Sequence, residues 1–205
     1  MITLAIESAT ATAGVALATD DGVVAAAQVT RGPRHAEVLI PAIEFVCAQA
    51  DIALPDVDAI AVDIGPGLFT GLRVGIATAN GLAQSLGKPV VGVSSLDLLA
   101  FAYRHAGSDI VAVIDARRSE VYAARYGATA EGIKRVMEPT VLPPADLLAQ
   151  LPDDAVLVGD TLDALFARPS AETLALIARD YEAGLVQPLY LRKSDAELNA
   201  ERKGA

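Results

Sequence analysis

A layered α/β fold made of two like halves is what this sequence predicts, on three observations. Apolar residues fill 53% of its 205 positions and aromatics only 4%, so a sizeable core has to be assembled from Ala, Val, Leu and Ile. Short β-branched runs bounded by Gly, Asp and Pro alternate with longer stretches of helical period. That alternation keeps one order, strand, strand, strand, helix, strand, helix, and keeps it twice, with an acid closing the first strand of each copy, Glu7 and then Asp115. Hairpins at one side of a sheet and parallel crossovers at the other place helices over its faces.

In the first half, residues 2–7 read as a strand, 14–18 as a second and 23–29 as a third, with Asp20, Asp21 and Gly22 as the hairpin turn. A helix is expected over 34–49, a buried-type strand over 59–64, a helix over 71–86 and a short strand over 89–93. The second half restarts with strands at 110–115 and 120–126, a turn over 127–132 and a strand at 133–137. A helix around 145–151, a strand at 155–159 and a helix from about 162 complete it. This divides the chain into subdomains 1–106 and 107–205, the second abbreviated, with its last helix free to pack back on the first half.

The most informative stretch is VDIGPGLFTGLRVG, residues 62–75. A strand enters a Gly-Pro-Gly turn and a helix opens beyond it, with Thr70 as the expected N-cap. Unpaired amides at such a junction can cradle an anion or let another backbone come close. Gly71, Gly75, Ala79 and Ala83 recur every fourth residue, a side-chain-poor stripe suited to close helix packing. The helix over 34–49 is apolar on nearly every side: Leu39, Ile43 and Val46 form one line, Val38, Ala42 and Phe45 another. Either both lines pack inside, or one joins the small stripe as a docking surface. The surface expected on the second reading comprises His35, Val38, Leu39, Ala42, Ile43 and Val46 with Gly71, Val74, Gly75, Thr78, Ala79 and Leu82. Pro41 removes one intrahelical bond and is expected to bend this helix.

A nucleotide cleft is the other candidate. Glu7, Ser8, Thr10 and Thr12 would form a first phosphate loop, and Gly65 and Gly67, or Asp115 with Arg117, a second wall. The plainer reading, in which Ser8 and Thr10 cap a hairpin and the acids are solvated at strand ends, is favoured. Two acids beside a phosphate would need Mg²⁺ or lysine, and no lysine precedes Lys88. The available cations, Arg73 and Arg117, could equally order loops by pairing with Asp63, Asp115 or Glu120. His35 and His105 do not stand at ligand spacing, so no metal and no cofactor are expected. Lone Cys47 reads as a buried small hydrophobe, and neither it nor any serine has a His and an acid at recognisable nucleophile spacing. The net charge of -10 argues against independent binding to a nucleic-acid backbone. No basic leader precedes the first strand and no apolar run reaches the roughly 18 residues that span a bilayer. A soluble cytoplasmic protein without membrane contact is expected.

The doubled order, with its acid after each first strand, resembles the actin-like ATPase (ASKHA) superfamily, in which a nucleotide lies between the halves. The run at 65–75 resembles more closely the TsaB (YeaZ) family of tRNA threonylcarbamoyladenosine (t6A) biosynthesis. The same resemblance runs through LAIESAT (4–10), RHAE (34–37), VSSL (93–96), IDAR (114–117) with EVY (120–122), and PLYLR (188–192). Three departures stand out: Glu7 where Asp is usual, Leu68 where Ser is common, and a shorter region after Gln150. The resemblance implies a non-catalytic subunit that pairs with TsaD, the paralogue carrying metal and chemistry, and is joined by the ATPase TsaE. It also implies a homodimer when alone and contact with tRNA only through the complex. The TsaD metal helix carries His-x-x-x-His; here His35 is followed four residues on by Leu39. The alternative from another class is an ATP-dependent phosphotransferase or actin-like ATPase working in its own cleft.

Overall fold

The computed structural model describes residues 1–30, 34–130 and 132–192. Its first half is a five-stranded sheet of β1 (Thr3–Glu7), β2 (Thr12–Thr19), β3 (Gly22–Thr30), β4 (Ala59–Gly65) and β5 (Val90–Ser94), ordered β3-β2-β1-β4-β5. β1 to β3 form the antiparallel meander, and β1, β4 and β5 run parallel. The parallel crossovers are α1 (His35–Ala50) and α2 (Phe69–Leu86). A third helix, α3 (Ser95–Ala102), follows β5 directly.

The second sheet repeats the plan. It comprises β6 (Ile110–Asp115), β7 (Val121–Thr129), β8 (Gly132–Leu142), β9 (Val156–Gly159) and β10 (Leu165–Phe166), ordered β10-β9-β6-β7-β8, with α4 (Pro144–Leu148) before β9 and α5 (Ala171–Ile177) after β10. Position for position this is the first sheet's order, so the fold is the duplicated actin-like α/β architecture with a smaller second copy.

The layers follow from the alternation along β1 and β4. Leu4, Ile6, Ile60 and Val62 face α1 and α2, where Leu39, Ile43, Val46 and Ile76 meet them. Ala5 and Ala61 point the other way, onto Leu98 of α3 and Leu174, Ala175 and Ile177 of α5. Alanines on that face let the helices sit close to the sheet. α3 is shared, since its Leu96, Leu99 and Ala100 belong to the core of the second sheet with Ile110, Tyr126 and Val158. Each half therefore lends the other a helix. Asp97 of α3 bolts the arrangement by accepting from the Tyr126 hydroxyl at 2.5 Å and pairing with Arg135.

Several expected elements shift. α2 begins at Phe69, with Leu68 in extended conformation as its N-cap and no side chain bonding the free amides, so Thr70 lies inside the first turn and is not the cap. The helix expected from about 162 is absent: Leu162 and Asp163 are left-handed, the short β10 follows, and helix resumes only at Ala171 after Ser170 accepts from the Thr173 amide at 3.1 Å. α3 was not anticipated, because its apolar residues follow the preceding strand without a breaker; Ser94 caps it by accepting from the Leu96 amide at 3.2 Å. Strand β8 reaches Leu142, well past the expected 137.

Leu174 lies in the second half of the chain but is buried under the first sheet. Leu174→Ala is expected to destabilise the protein by about 2–5 kcal/mol and to raise amide exchange in β1 and β2 along with α5. Loss of protection confined to α5 would show that the helix is not part of the first half's cooperative unit.

Candidate functional site

The carboxyl end of β1 is where the first phosphate loop was expected, and α2 sits directly on it. The Ser8 hydroxyl donates to Gly71 O at 2.9 Å. A Cβ on Gly71 would lie 2.1 Å from Ser8 O, and one on Gly75 would lie 2.2 Å from Ser8 Oγ. On the other side the Leu68 amide donates to Ala9 O at 2.7 Å, and a Cβ on Gly67 would lie 2.3 Å from that oxygen. From α1, His35 Nε2 meets Thr10 O at 2.8 Å. The glycines thus serve close approach within the chain: a side chain at Gly67 or Gly71 would force backbone apart, and one at Gly75 would displace the Ser8 hydroxyl. Gly71, Gly75 and Ala79, expected on a docking surface, are buried against the protein itself. The same correction applies to His35, Leu39, Ala42, Ile43 and Val46, which turn inward onto the loop and sheet.

Glu7 and Asp63 each follow the last registered pair of β1 and β4, Ile6 and Val62; they are close enough to repel, and both are buried. Glu7 is therefore not the solvated strand-end acid that the plainer reading expected. Glu7 Oε1 accepts from the Ala9 amide at 2.8 Å, and its carboxylate also draws on the Thr10 amide. Asp63 Oδ1 accepts from the Gly65 amide at 2.7 Å and the Ser95 hydroxyl at 2.6 Å, while Oδ2 has no partner. Burial, reinforced by Asp63, holds the Glu7 carboxyl well above the usual range. Burial also raises Asp63, to about 7 despite its two donors.

Between the halves lies a cleft of about 460 Å³. Thr10, Pro66 and Gly67 line one wall, and Asp115, Arg117, Tyr122, Asp160, Phe166 and Arg168 the other. Of the expected nucleotide residues, Thr10, Gly67 and Asp115 reach this cleft, whereas Glu7, Ser8 and Gly65 are not among its lining. Arg117 pairs with Asp115 at 3.0 Å, and Asp160 accepts from the Asp115 amide at 2.9 Å. Arg73 and Glu120 find other partners: Arg73 stacks on Phe69, and Glu120 pairs with Arg192. The residues present fit a nucleotide phosphate poorly. The turn amides that would hold one are bound by Glu7, the loop after β1 touches the Gly65–Gly67 turn, and no lysine is among the lining residues.

The outer surface of α1 and α2 carries what the inner surface does not use. Ile40 is 48% and Phe45 53% exposed, beside half-buried Val38, Val74, Thr78 and Leu82. Gly81 on α2 is exposed, and a Cβ there would meet nothing within 4 Å. Ile40 and Gly81 escaped the sequence reading, because a helix apolar all round does not announce which line faces inward. No helix among the described residues is long and apolar enough to cross a membrane.

Fold and cleft together define a duplicated actin-like protein in which the amides of the expected first phosphate loop are taken by its own Glu7. The family model for TsaD, tRNA N6-adenosine threonylcarbamoyltransferase, matches residues 29–177. The chain is 36% identical over 164 residues to the tRNA threonylcarbamoyladenosine biosynthesis protein TsaB of Escherichia coli, covering 76% of this chain and 70% of that one. It is 40% identical to an uncharacterized protein of Mycobacterium leprae, of whose length it spans 56%. The structure of YeaZ from Pseudomonas aeruginosa superposes with a TM-score of 0.77 at 32% identity, over 93% of this chain and 99% of that one. The chain belongs to the TsaB (YeaZ) family and shares its domain with the TsaD family.

The paired carboxyls set a pH dependence. Both titrate higher in the folded chain than in the unfolded one, where Asp and Glu ionise near 4. The unfolded state therefore sheds these protons first, and stability falls as pH rises from about 4 until the folded groups ionise as well, Asp63 at about 7. Asp63→Asn keeps an acceptor for Ser95 and Gly65 and removes one charge. Its melting temperature is expected to fall less than that of the wild type between pH 5 and 8; parallel curves would mean that the pair is not strained by charge.

Proposed function

We propose that this chain acts in t6A biosynthesis as a non-catalytic subunit, docking a TsaD-type paralogue on the outer surface of α1 and α2. The names of its relatives support the pathway, and the family model it shares with TsaD supports a paralogous partner. The observation that carries the docking surface is the exposure of Ile40 and Phe45 on α1 and of Gly81 on α2. A glycine inside a helix costs about 1 kcal/mol relative to alanine, and among the described residues nothing requires one at 81, since a Cβ there would meet nothing within 4 Å. A partner helix crossing there would. Of the expected surface, Val38, Val74, Thr78 and Leu82 are half-buried and remain accessible, whereas its inward members are buried.

The first phosphate loop, its amides taken by Glu7, favours a supporting rather than chemical role and disfavours the phosphotransferase alternative. With a net charge of -10, the chain meets tRNA through the complex rather than by its own surface. A cytoplasmic setting, a homodimer through the same surface in the absence of TsaD, and later engagement by TsaE complete the proposal, as does the division into subdomains 1–106 and 107–205.

Two substitutions test it, Phe45→Asp and Gly81→Arg, both at positions that contact solvent. Calorimetric titration with TsaD is expected to show affinity at least about tenfold weaker for each, the scale of a central interface residue, with unchanged melting of the isolated chain. Wild-type affinity in both variants would remove the proposed surface.

A further inference from the structure

Residues 183–192 run from the edge of the first sheet to the cleft side of the second. Ala183 bridges Val91, and the Gly184 amide donates to Val90 O at 3.0 Å. Val186 sinks into the core beside Gly92, and its carbonyl accepts from Asn80 Nδ2 at 3.1 Å. The Leu189 amide donates to Ile64 O at 2.8 Å. Tyr190 then stacks on Phe69 with ring centroids 5.6 Å apart, and its hydroxyl accepts from Arg73 Nε at 2.9 Å. Two residues on, the contacts change halves: Arg192 Nη1 donates to Ala116 O at 2.9 Å, and the guanidinium pairs with Glu120.

Ala116 and Glu120 close the turn that follows β6. The Ala116 amide donates to Glu120 O and the Glu120 amide to Arg117 O, each at 3.1 Å. Within it Arg117, Arg118 and Ser119 are all left-handed. Three such residues in a row persist only where surrounding structure holds them, and Arg192 grips both ends of the turn. The turn carries Arg117, and Asp115 just before it, into the cleft.

We propose that residues 186–192 are a strap coupling the exposed first turn of α2 to the cleft, with Tyr190 a positioning residue that acts through Arg192 on the turn after β6. Only Leu191 separates the two. A span of two residues reaches at most about 7 Å, so a shift of the backbone at Tyr190 is passed on to Arg192 through Leu191 alone. The coupling is reciprocal: whatever orders the turn from the cleft also orders Phe69, Arg73 and Tyr190 at the end of α2.

Hydrogen exchange of the full chain tests this without any partner. Arg192→Gln and Tyr190→Leu are both expected to speed exchange of the Ala116 and Glu120 amides, by about three- to tenfold on the scale of one lost local tie. The double variant should be no faster than the quicker single one. Leu185→Ala, in the same segment but 84% exposed, should leave the turn unchanged. Wild-type exchange at the turn in Tyr190→Leu, or effects that multiply in the double variant, would overturn the strap. If Tyr190→Leu also loosens β4 and β6, Arg73→Met decides instead, since it cuts the bond to the Tyr190 hydroxyl without touching the segment. Faster exchange at 116 and 120 then supports the coupling, and wild-type exchange overturns it.

Discussion

The close seating of α2 on the loop after β1 is the contact on which the other features depend. Ser8 bonds the helix backbone at Gly71, and Gly71, Gly75 and Gly67 have no side chains because Ser8 and Ala9 occupy the space. That contact brings the loop after β1 and the Gly65–Gly67 turn together instead of around a ligand, and it accompanies the contact of His35 of α1 with Thr10. It also fixes which side of α2 is inward, and therefore which side is left for another molecule. A single methyl at 67 or 71 would have to displace backbone, not a flexible side chain, so relief has to come from the whole helix moving.

Electrostatics follows from the same packing. With the loop held closed, Glu7 is sealed beneath it, next to Asp63, and its carboxylate takes up the turn amides. Glu7 accepts from the amide two residues on just as Asp63 and Asp115 do, so the Glu7 departure preserves that turn bond. The result is a buried acid pair with an orphaned Asp63 oxygen and no counter-cation from Arg73 or Arg117. Such a pair destabilises the charged state and is tolerable only while protons remain on it.

Much of the fold was legible because strands such as β4 and β6 are β-branched runs with clear ends, and because their order recurs. What escaped had specific causes. α3 follows β5 with no glycine or proline between them, so an apolar run conceals a change of period at Ser94. Leu162 and Asp163 have ordinary helical composition but left-handed backbone, which only tertiary context imposes. For the site, the alternation Ala59, Ala61, Asp63 already placed Asp63 with inward alanines, and that signal was available. The faces of α1 were not: Leu39, Ile43 and Val46 differ little in character from Val38, Ile40 and Phe45, and only the position of the sheet tells them apart.

A protein that has closed its own first phosphate loop while leaving Ile40, Phe45 and Gly81 outward is built to present a surface more than to process a ligand. The most direct measurement is threonylcarbamoyl transfer to tRNA by the reconstituted partners, with this chain omitted, added as wild type, added as Asp115→Ala, or added as Phe45→Asp. A supporting role through the α1 and α2 surface predicts full rescue by the wild type and by the cleft variant, and failure of the surface variant. Rescue by wild type and Phe45→Asp, with a folded Asp115→Ala inactive, would place the contribution of this chain in its cleft and contradict the scaffold role.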